Sequence, residues 1–234
     1  MSRRAKATTK KSEETRARIL EAALALFRKH GFEKTTMRDI AQEAGVALGA
    51  AYYYFDSNDA LVMEFYQRAQ RDLDPLLENS LSKHQGLEER IRAAIEVKFQ
   101  YFAANRQLLA ALSAHIDPQN PLSPFSEETR SIRERDIRFL SLALERTKTR
   151  IPDDLKTQLP RVLWLYQMGL LLFWVYDSSP AQTKTNQLFR KSLSIIVNLI
   201  KFSSLPLMRP MRKLVTDLFD IVYGEEPAIA EVAP

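Results

Sequence analysis

Side chains that can bond to nucleic acid are concentrated in residues 35–55, TTMRDIAQEAGVALGAAYYYF. Arg38 carries a guanidinium group that can pair with guanine O6 and N7. The hydroxyl of Thr36 can donate to a phosphate or cap a helix, and both roles are compatible. Three phenol groups follow on Tyr52, Tyr53 and Tyr54. The chemistry that this set favours is hydrogen bonding to DNA bases and phosphates rather than bond making.

The spacing within this segment predicts two short helices joined by a tight turn. Thr36 and Asp39 are three residues apart, as in a capping box, and Gly45 follows where a residue with positive φ ends a helix. The second helix opens with three residues that lack hydrogen-bonding side chains, Leu48, Gly49 and Ala50. They offer apolar contact to thymine methyl groups and close backbone approach, which the major groove admits.

Signals for catalysis are missing from the sequence. Cysteine is absent, which excludes thiol nucleophiles, disulfides and thiolate metal sites. The three histidines, His30, His84 and His115, are far apart and lack metal-ligand spacing. No GxSxG, Walker loop, HExxH or paired Glu-x-x-His motif occurs. We therefore expect no enzyme activity, no metal and no cofactor.

The segment closely resembles the DNA-binding region of the TetR/AcrR family of one-component bacterial repressors, over about residues 13–62. Gly31 and Phe32 end the first helix as in that family. The matching motif positions are Thr36, Arg38, Ile40, Ala41, Ala44, Gly45, Val46, Gly49, Tyr52, Tyr54, Phe55, Ser57, Asp59 and Leu61. The resemblance implies an all-α protein, with an N-terminal three-helix helix-turn-helix domain joined to a larger C-terminal helical ligand-binding and dimerisation domain.

Three positions depart from the family pattern. Ala47 replaces the serine that caps the second helix of the motif, so that helix start has no side-chain acceptor. Ala51 replaces a branched residue beneath this helix. Asn58 opens the fourth helix where the family has a phosphate-contacting lysine. These departures bear on the strength of DNA binding rather than on its existence.

The resemblance also implies which residues contact DNA. Tyr52 takes the phosphate-contacting position and Tyr54 the adjacent aromatic one, while one of the three tyrosines is expected to pack on the first helix. The full predicted set is Thr36, Arg38, Leu48, Gly49, Ala50, Tyr52, Tyr53, Tyr54 and Asn58.

The excess positive charge lies in the N-terminal arm, residues 1–12. The chain has 34 Lys and Arg against 29 Asp and Glu, a net charge of +5, and the arm alone carries five basic residues and no acid. Residues 13–59 carry six basic and eight acidic residues, so the predicted DNA-binding surface is not strongly basic. The arm is predicted to be disordered, and either solvated only or bound to phosphates and the minor groove.

Helical spacing continues to about residue 224, and we expect residues 63–224 to form the C-terminal domain. The first helix is predicted to start near Ser12, the fourth to bend or end near Pro75, and the seventh to start at Ser126 after a proline-rich loop. Residues 225–234 are expected to form a disordered tail. The longest apolar run, residues 162–176, is interrupted by Gln167 and is shorter than a membrane span, which favours a soluble, cytoplasmic protein.

Aromatic residues in the C-terminal domain suggest an effector pocket. In the TetR-like family these helices enclose a cavity whose filling tilts the fourth helix. The candidates are Phe65, Phe99, Phe102, Tyr166, Met168 and Phe173. Such residues more often form ordinary core. If a pocket exists, its few charges favour a small apolar or aromatic effector.

Two C-terminal segments, around residues 163–174 and 193–200, are apolar in nearly every helical direction. A helix that is apolar all round must be covered all round. One interpretation is a homodimer with a four-helix interface, as the resemblance implies; the other is a core helix inside a monomer. We favour the homodimer, because pairing doubles the number of base pairs contacted. The predicted interface residues are Leu163, Leu170, Trp174, Leu193, Ile196 and Ile200.

Two functions remain open at this stage. The first is a dimeric, ligand-responsive repressor that binds a palindromic operator in double-stranded DNA. The second is a helical adaptor that retains the motif without specific DNA binding, an alternative that Ala47 and Asn58 favour slightly. An enzyme on a helical scaffold has the least support.

Overall fold

Helix is the only regular secondary structure in the residues that the computed structural model describes, 3–145 and 147–223. This agrees with the predicted all-α class. The helices are α1 Arg3–His30, α2 Met37–Glu43, α3 Leu48–Tyr54, α4 Asn58–Ser82, α5 Leu87–Phe102, α6 Arg106–Leu112, α7 Arg130–Leu144, α8 Asp153–Lys156, α9 Leu159–Tyr176, α10 Thr183–Ser203 and α11 Arg209–Tyr223. The predicted tail at 225–234 lies outside the described residues.

The N-terminal helices α1, α2 and α3 pack together with the start of α4. Ile19, Ile40, Ala51 and Phe65 are each 0% exposed in the core between them. The spacing of apolar residues on α1 and α2 predicts this core, since only one face of each helix carries them.

Helix α1 begins at Arg3 rather than near Ser12, so the prediction of a disordered arm is wrong for the described residues of that segment. The sequence AKATTKK contains alanine and lysine, which favour helix, and neither glycine nor proline interrupts it. The helix ends at Gly31, whose φ of 89° is readily adopted only by glycine.

Helix α4 continues through Pro75 to Ser82, which corrects the predicted bend or end near Pro75. Leu73, Leu77 and Leu81 are buried on the same face of the helix, on both sides of the proline. Burial of three leucines contributes more than the roughly 3 kcal/mol that an interior proline costs. Tertiary packing therefore overrides the local signal.

The C-terminal domain is built from α4, α5, α7, α9 and α10 around a second core. Helices α5, α7, α9 and α10 each contribute a fully buried side chain to this core, namely Ile91, Leu140, Leu163 and Leu193. Helix α7 starts at Arg130, four residues later than predicted. The hydroxyl of Ser126 is instead bonded to the carbonyls of Pro121 and Ser123, which holds a turn in place of a helix start.

Arg90 joins the C-terminal ends of α4 and α7. Its Nε donates to the carbonyl of Ala143 at 3.0 Å and its Nη2 to that of Leu142 at 2.6 Å. Its Nη1 donates to the carbonyls of Leu81 at 2.6 Å and His84 at 3.1 Å. These carbonyls lie where helix ends leave acceptors without partners in the same helix. One buried cation therefore satisfies the ends of two helices.

We expect Arg90→Met to lower the free energy of unfolding by about 3 kcal/mol or more, because several buried carbonyls lose their donor. Urea denaturation followed by circular dichroism measures the change. The matched control is Arg130→Met, which removes an exposed pair with Glu127 and should cost under about 1 kcal/mol. Equal losses in the two variants would contradict the role of Arg90.

The N-terminal core is continuous with part of the C-terminal domain. Leu108 and Leu112 of α6 and Trp174 of α9 belong to the same buried cluster as the N-terminal helices. At the seam, Arg28 Nη1 donates to Asn105 Oδ1 at 2.9 Å. The boundary predicted near residue 62 thus divides the helix-turn-helix region from the C-terminal region along the chain. It does not divide the protein into two independent cores.

Across the described ranges, no helix combines the length and apolar character needed to cross a bilayer.

Candidate nucleic-acid interface and internal cavity

Thr36 and Asp39 form the predicted capping box at the start of α2. The Thr36 hydroxyl accepts from the Asp39 N–H at 3.2 Å, and Asp39 Oδ2 accepts from the Thr36 N–H at 3.0 Å. Asp39 Oδ2 also accepts from the Thr36 hydroxyl at 2.6 Å. These bonds hold the pKa of Asp39 below its usual range. Thr36 therefore has a structural role whether or not it also contacts DNA.

We expect Thr36→Ala to destabilise the protein by about 1 kcal/mol, because α2 loses its N-cap acceptor. Thermal denaturation measures the loss. Thr36→Ser is the matched control, since it keeps the hydroxyl and should retain most of the stability. Alanine and serine variants of equal stability would show that the cap does not contribute.

The turn between α2 and α3 is formed by backbone bonds around Gly45. Its φ is 62°, in the left-handed region that glycine adopts at little cost. The Val46 N–H donates to the Ala41 carbonyl at 3.0 Å, which fixes the direction in which α3 leaves the turn. Ala47 stands at the N-cap of α3 without a side-chain bond, as its residue type predicts.

Helix α3 has one buried face and one exposed face. Ala51 is 0% exposed against the core, while Leu48, Gly49 and Tyr52 are exposed on the outer side. Tyr53 is 81% exposed, although tyrosine side chains are usually partly buried. The outer face of α3, meaning Leu48, Gly49, Tyr52 and Tyr53, is therefore open to a partner. Ala50 lies half-buried at its edge.

Tyr54 is the tyrosine that packs on the first helix. Its hydroxyl accepts from Ser12 Oγ at 3.2 Å, and its ring meets that of Tyr53 edge to face, with centroids 5.1 Å apart. The expectation of one structural tyrosine is confirmed. Tyr54 helps to orient the ring of Tyr53, which remains exposed.

The side chain of Asn58 forms a hydrogen bond within the N-terminal region. Its Nδ2 donates to the carbonyl of Thr35 at 2.7 Å, which ties the start of α4 to the loop before α2. Its Oδ1 is buried, with no hydrogen-bond partner among the described residues. One of the two N–H groups on this nitrogen is thus used within the chain, and the DNA contact at Asn58 stays a prediction.

Arg38, like Arg18 of α1, differs from nearby arginines that form salt bridges. Arg16 pairs with Glu64 at 2.7 Å, and Arg68 pairs with Glu21. Arg38 is exposed and forms no salt bridge with any described residue. An exposed guanidinium group outside any salt bridge, in the first turn of α2, is available to an anion or a base edge.

A cavity of about 430 Å³ lies among α4, α5, α6, α7 and α9. Phe102 and Met168 line it, as predicted. Phe65, Phe99, Tyr166 and Phe173 do not, so four of the six predicted lining residues are wrong. The wall is mostly apolar, with contributions from Leu109, Leu112, Ile132, Trp164, Leu171 and Val175.

Each misplaced residue has another environment. Phe65 is in the N-terminal core, and Phe99 stacks on Trp174 with centroids 5.2 Å apart. The Tyr166 hydroxyl lies 2.7 Å from Ser192 Oγ, and burial raises the pKa of this phenol. Phe173 is 42% exposed. Helical spacing shows that such residues are apolar but not which of several packed faces they occupy.

The sequence did not indicate the polar residues of the wall, among them Lys98, Asp136 and Gln167. Lys98 Nζ lies 2.8 Å from Asp136 Oδ1. The one available signal was Gln167, which interrupts the longest apolar run. Lys98 and Asp136 resemble ordinary charged residues of amphipathic helices until the fold brings them together. Within residues 3–145 and 147–223, no cluster of three potential metal ligands occurs.

The predicted dimer residues are mostly buried inside a single chain. Leu163, Leu170, Trp174, Leu193 and Ile200 are at most 5% exposed, and Ile196 is half-buried. Five of the six residues are therefore covered within a single chain, and the dimer interface itself stays a prediction. The large apolar residues that are exposed on these two helices, called the α9/α10 stripe from here on, are Leu165, Leu172, Phe173 and Tyr176 on α9 and Leu188, Ile195, Leu199 and Phe202 on α10.

Sequence comparison identifies the class of protein to which this fold and surface belong. Residues 19–65 match the family described as bacterial regulatory proteins, tetR family, and residues 90–218 match the tetracyclin repressor-like C-terminal domain. The second match covers more than half of the chain. The chain belongs to the TetR family of transcriptional regulators, which confirms the resemblance seen in the sequence.

Curated relatives match half of the chain or less. The chain is 34% identical to the HTH-type transcriptional regulator BetI of Agrobacterium fabrum over 118 residues, 50% of this chain and 55% of that protein. It is 36% identical to the probable acrEF/envCD operon repressor of Escherichia coli over 103 residues, 42% of this chain and 46% of that protein. The chain thus spans about half the length of these curated relatives.

Solved structures share the fold over more of the chain. GusR of Salmonella enterica superposes with a TM-score of 0.60 at 24% identity, covering 80% of this chain and 96% of that one. FadR of Bacillus subtilis gives 0.59 at 16% identity, covering 76% and 97%. At these identities the likeness concerns the fold, and it supports an N-terminal helix-turn-helix domain joined to a C-terminal helical domain.

Proposed function

We propose that the protein is a ligand-responsive transcriptional repressor that binds a palindromic operator as a homodimer. The observation that carries this proposal is the outer face of α3. Its side chains are exposed while the helix is held firmly from behind by Ala51 and Tyr54. Arg38, without a salt bridge, provides a charged group from α2. A short exposed helix on a rigid support is what the major groove accommodates.

The α9/α10 stripe supports pairing with a second copy of the chain. On α9 its members recur at spacings of seven, one and three residues, and on α10 at seven, four and three, so each set forms one helical face. Large apolar residues that are exposed on two packed helices favour an interaction surface, although Leu165 and Leu172 also line the cavity and Tyr176 bonds to α6. Pairing through such a face places two α3 helices in one particle, and a palindromic operator needs them about 34 Å apart.

The cavity supports response to a small effector. Tyr66 on α4 lines the cavity, next in sequence to Phe65 in the N-terminal core. Leu109 and Leu112 of α6 belong both to the cavity wall and to that core. Filling the cavity can therefore act on the DNA-binding helices through α4 and α6. A ligand shifts the equilibrium only by its difference in affinity for the two arrangements.

A gel-shift series against the promoter next to the protein's own reading frame tests the proposal. We expect sequence-specific binding whose affinity falls steeply with salt, because each phosphate contact releases a counterion. A shuffled duplex of the same length and composition is the control. Equal, weak binding to both duplexes would instead indicate a helical adaptor.

The name of the Escherichia coli relative, an operon repressor, supports repression as the sign of control.

A further inference from the structure

The mostly apolar cavity wall contains three polar residues from separate helices, Lys98, Asp136 and Gln167, and also Tyr66, Ser113, Thr129 and Arg133. Lys98 of α5 is 4% exposed and Gln167 of α9 is 1% exposed, while the Asp136 side chain of α7 is 21% exposed. Burying polar groups of this kind costs free energy unless they find partners. Their hydrogen bonds therefore indicate what the cavity can hold.

Gln167 has an acceptor without a donor. Its Oε1 is buried and bonded to no group in the described part of the chain. Lys98 Nζ contacts Asp136 Oδ1 at 2.8 Å, and beyond this ion pair no described residue accepts a well-aligned hydrogen bond from the ammonium group. Two residues of the wall, Gln167 and Lys98, thus each carry a buried polar atom whose hydrogen bonds are not all made within the described part of the chain.

Other polar groups of the wall already have partners. Ser113 and Thr129 donate to backbone carbonyls, and Arg133 donates to two carbonyls of the preceding loop. Tyr66 can both donate and accept, so it does not discriminate between ligand groups. Selection among polar ligands therefore rests mainly on Lys98, Asp136 and Gln167.

The three side chains exclude most head groups. A carboxylate can accept from Lys98, but it repels Asp136 and cannot donate to Gln167 Oε1. An ammonium group satisfies Gln167 Oε1, but it meets the positive charges of Lys98 and Arg133. A pure hydrocarbon leaves Gln167 without a donor. A neutral hydroxyl donates to Gln167 Oε1 and accepts from Lys98 Nζ, and it leaves the ion pair intact.

We infer that the cavity binds an apolar alcohol or phenol, whose hydroxyl group donates to Gln167 Oε1 and accepts from Lys98 Nζ. The apolar body lies against Trp164, Leu109 and Phe102. The role of this ligand as effector rests on the proposed function, but its binding does not. A volume of about 430 Å³ is within the range of small-molecule sites.

Isothermal titration of the full chain in the absence of DNA tests the inference with four probes on one scaffold. These are 4-cyclohexylphenol, cyclohexylbenzene, 4-cyclohexylbenzoate and 4-cyclohexylbenzylammonium. We expect the phenol to bind about tenfold or more tightly than each of the others, because only it satisfies both groups. Quenching of Trp164, which lines the cavity, provides a second readout of the same affinities.

The variant Gln167→Leu removes the acceptor and keeps an apolar wall. We expect the ratio of phenol to hydrocarbon affinity to fall roughly fivefold to tenfold. Gln187→Leu is the matched control, because it makes the same substitution at an exposed position of α10 outside the cavity wall, and its ratio should equal that of the wild type. Circular dichroism confirms that both variants are folded.

Equal affinity for phenol and hydrocarbon in the wild type would overturn the inference. So would preference for the benzoate or the ammonium probe, an unchanged ratio in Gln167→Leu, or no binding of any of the four probes. The same preparation is tested for operator binding in a separate gel shift. Loss of operator binding alone would overturn the proposed function and leave the ligand preference standing.

Discussion

Ile195→Glu and Leu199→Glu, made together, are expected to convert the protein to a monomer and to weaken operator binding at least about 100-fold. Both residues lie in the α9/α10 stripe, with 61% and 58% of their surface exposed in a single chain. Two carboxylates that must be buried against a second copy oppose pairing. A monomer then binds one half-site through its single α3. It loses the extra affinity that a dimer gains by binding both half-sites at once. Sedimentation equilibrium measures the mass, and a gel shift measures the affinity.

Arg190→Glu is the matched control for this prediction. It places a carboxylate on an exposed position of α10, on a different side of the helix from the stripe. Its mass should stay that of the dimer. A double glutamate variant that remains dimeric would contradict the assignment of the stripe as the interface between copies. A monomeric wild type that binds a palindromic site with full affinity would contradict it as well.

The second large effect is expected from Arg38→Ala, which should cost about 1–3 kcal/mol of specific operator binding, or roughly 5-fold to 150-fold in affinity. Arg38 is exposed and forms no salt bridge within the described part of the chain, so its removal should leave the fold intact. Bidentate contact with guanine discriminates between bases, whereas a phosphate contact weakens binding to all sequences. Competition between operator and shuffled duplex distinguishes the two contacts.

Arg130→Ala serves as the control for Arg38→Ala. It removes the same charge from an exposed position at the start of α7, in the C-terminal domain. Its operator affinity should change by less than about twofold. Unchanged affinity in Arg38→Ala would remove this residue from the proposed contact surface, and the tyrosines of α3 would remain as candidates.

The features that the sequence predicted correctly depend on neighbours along the chain. Thr36 bonds to Asp39 three residues away, and Gly45 supplies a positive φ that its residue type permits. Such local rules leave few alternatives for the backbone. The fold class follows in the same way, because helical spacing of apolar residues persists along most of the chain.

The features that were missed depend on which face of a helix meets which neighbour. Helix α9 is apolar in nearly every direction, so periodicity could not tell the buried Leu163 from the exposed Phe173. The pair of Lys98 and Asp136 was hidden for another reason. The two residues lie on different helices, and each alone resembles a solvated surface charge.

Pro75 shows the opposite case, in which a strong local signal yields to packing around it.

The shared core of the two domains has a consequence for protein engineering. Leu108, Leu112 and Trp174 complete the packing of helices that precede them by many residues. A chimaera that grafts residues 1–65 onto a foreign receptor would leave those helices with an open apolar side unless the graft also supplies α6 and the end of α9. The DNA-binding region of this chain therefore cannot be transferred alone, and exchange of specificity is better attempted by replacing side chains on the outer face of α3.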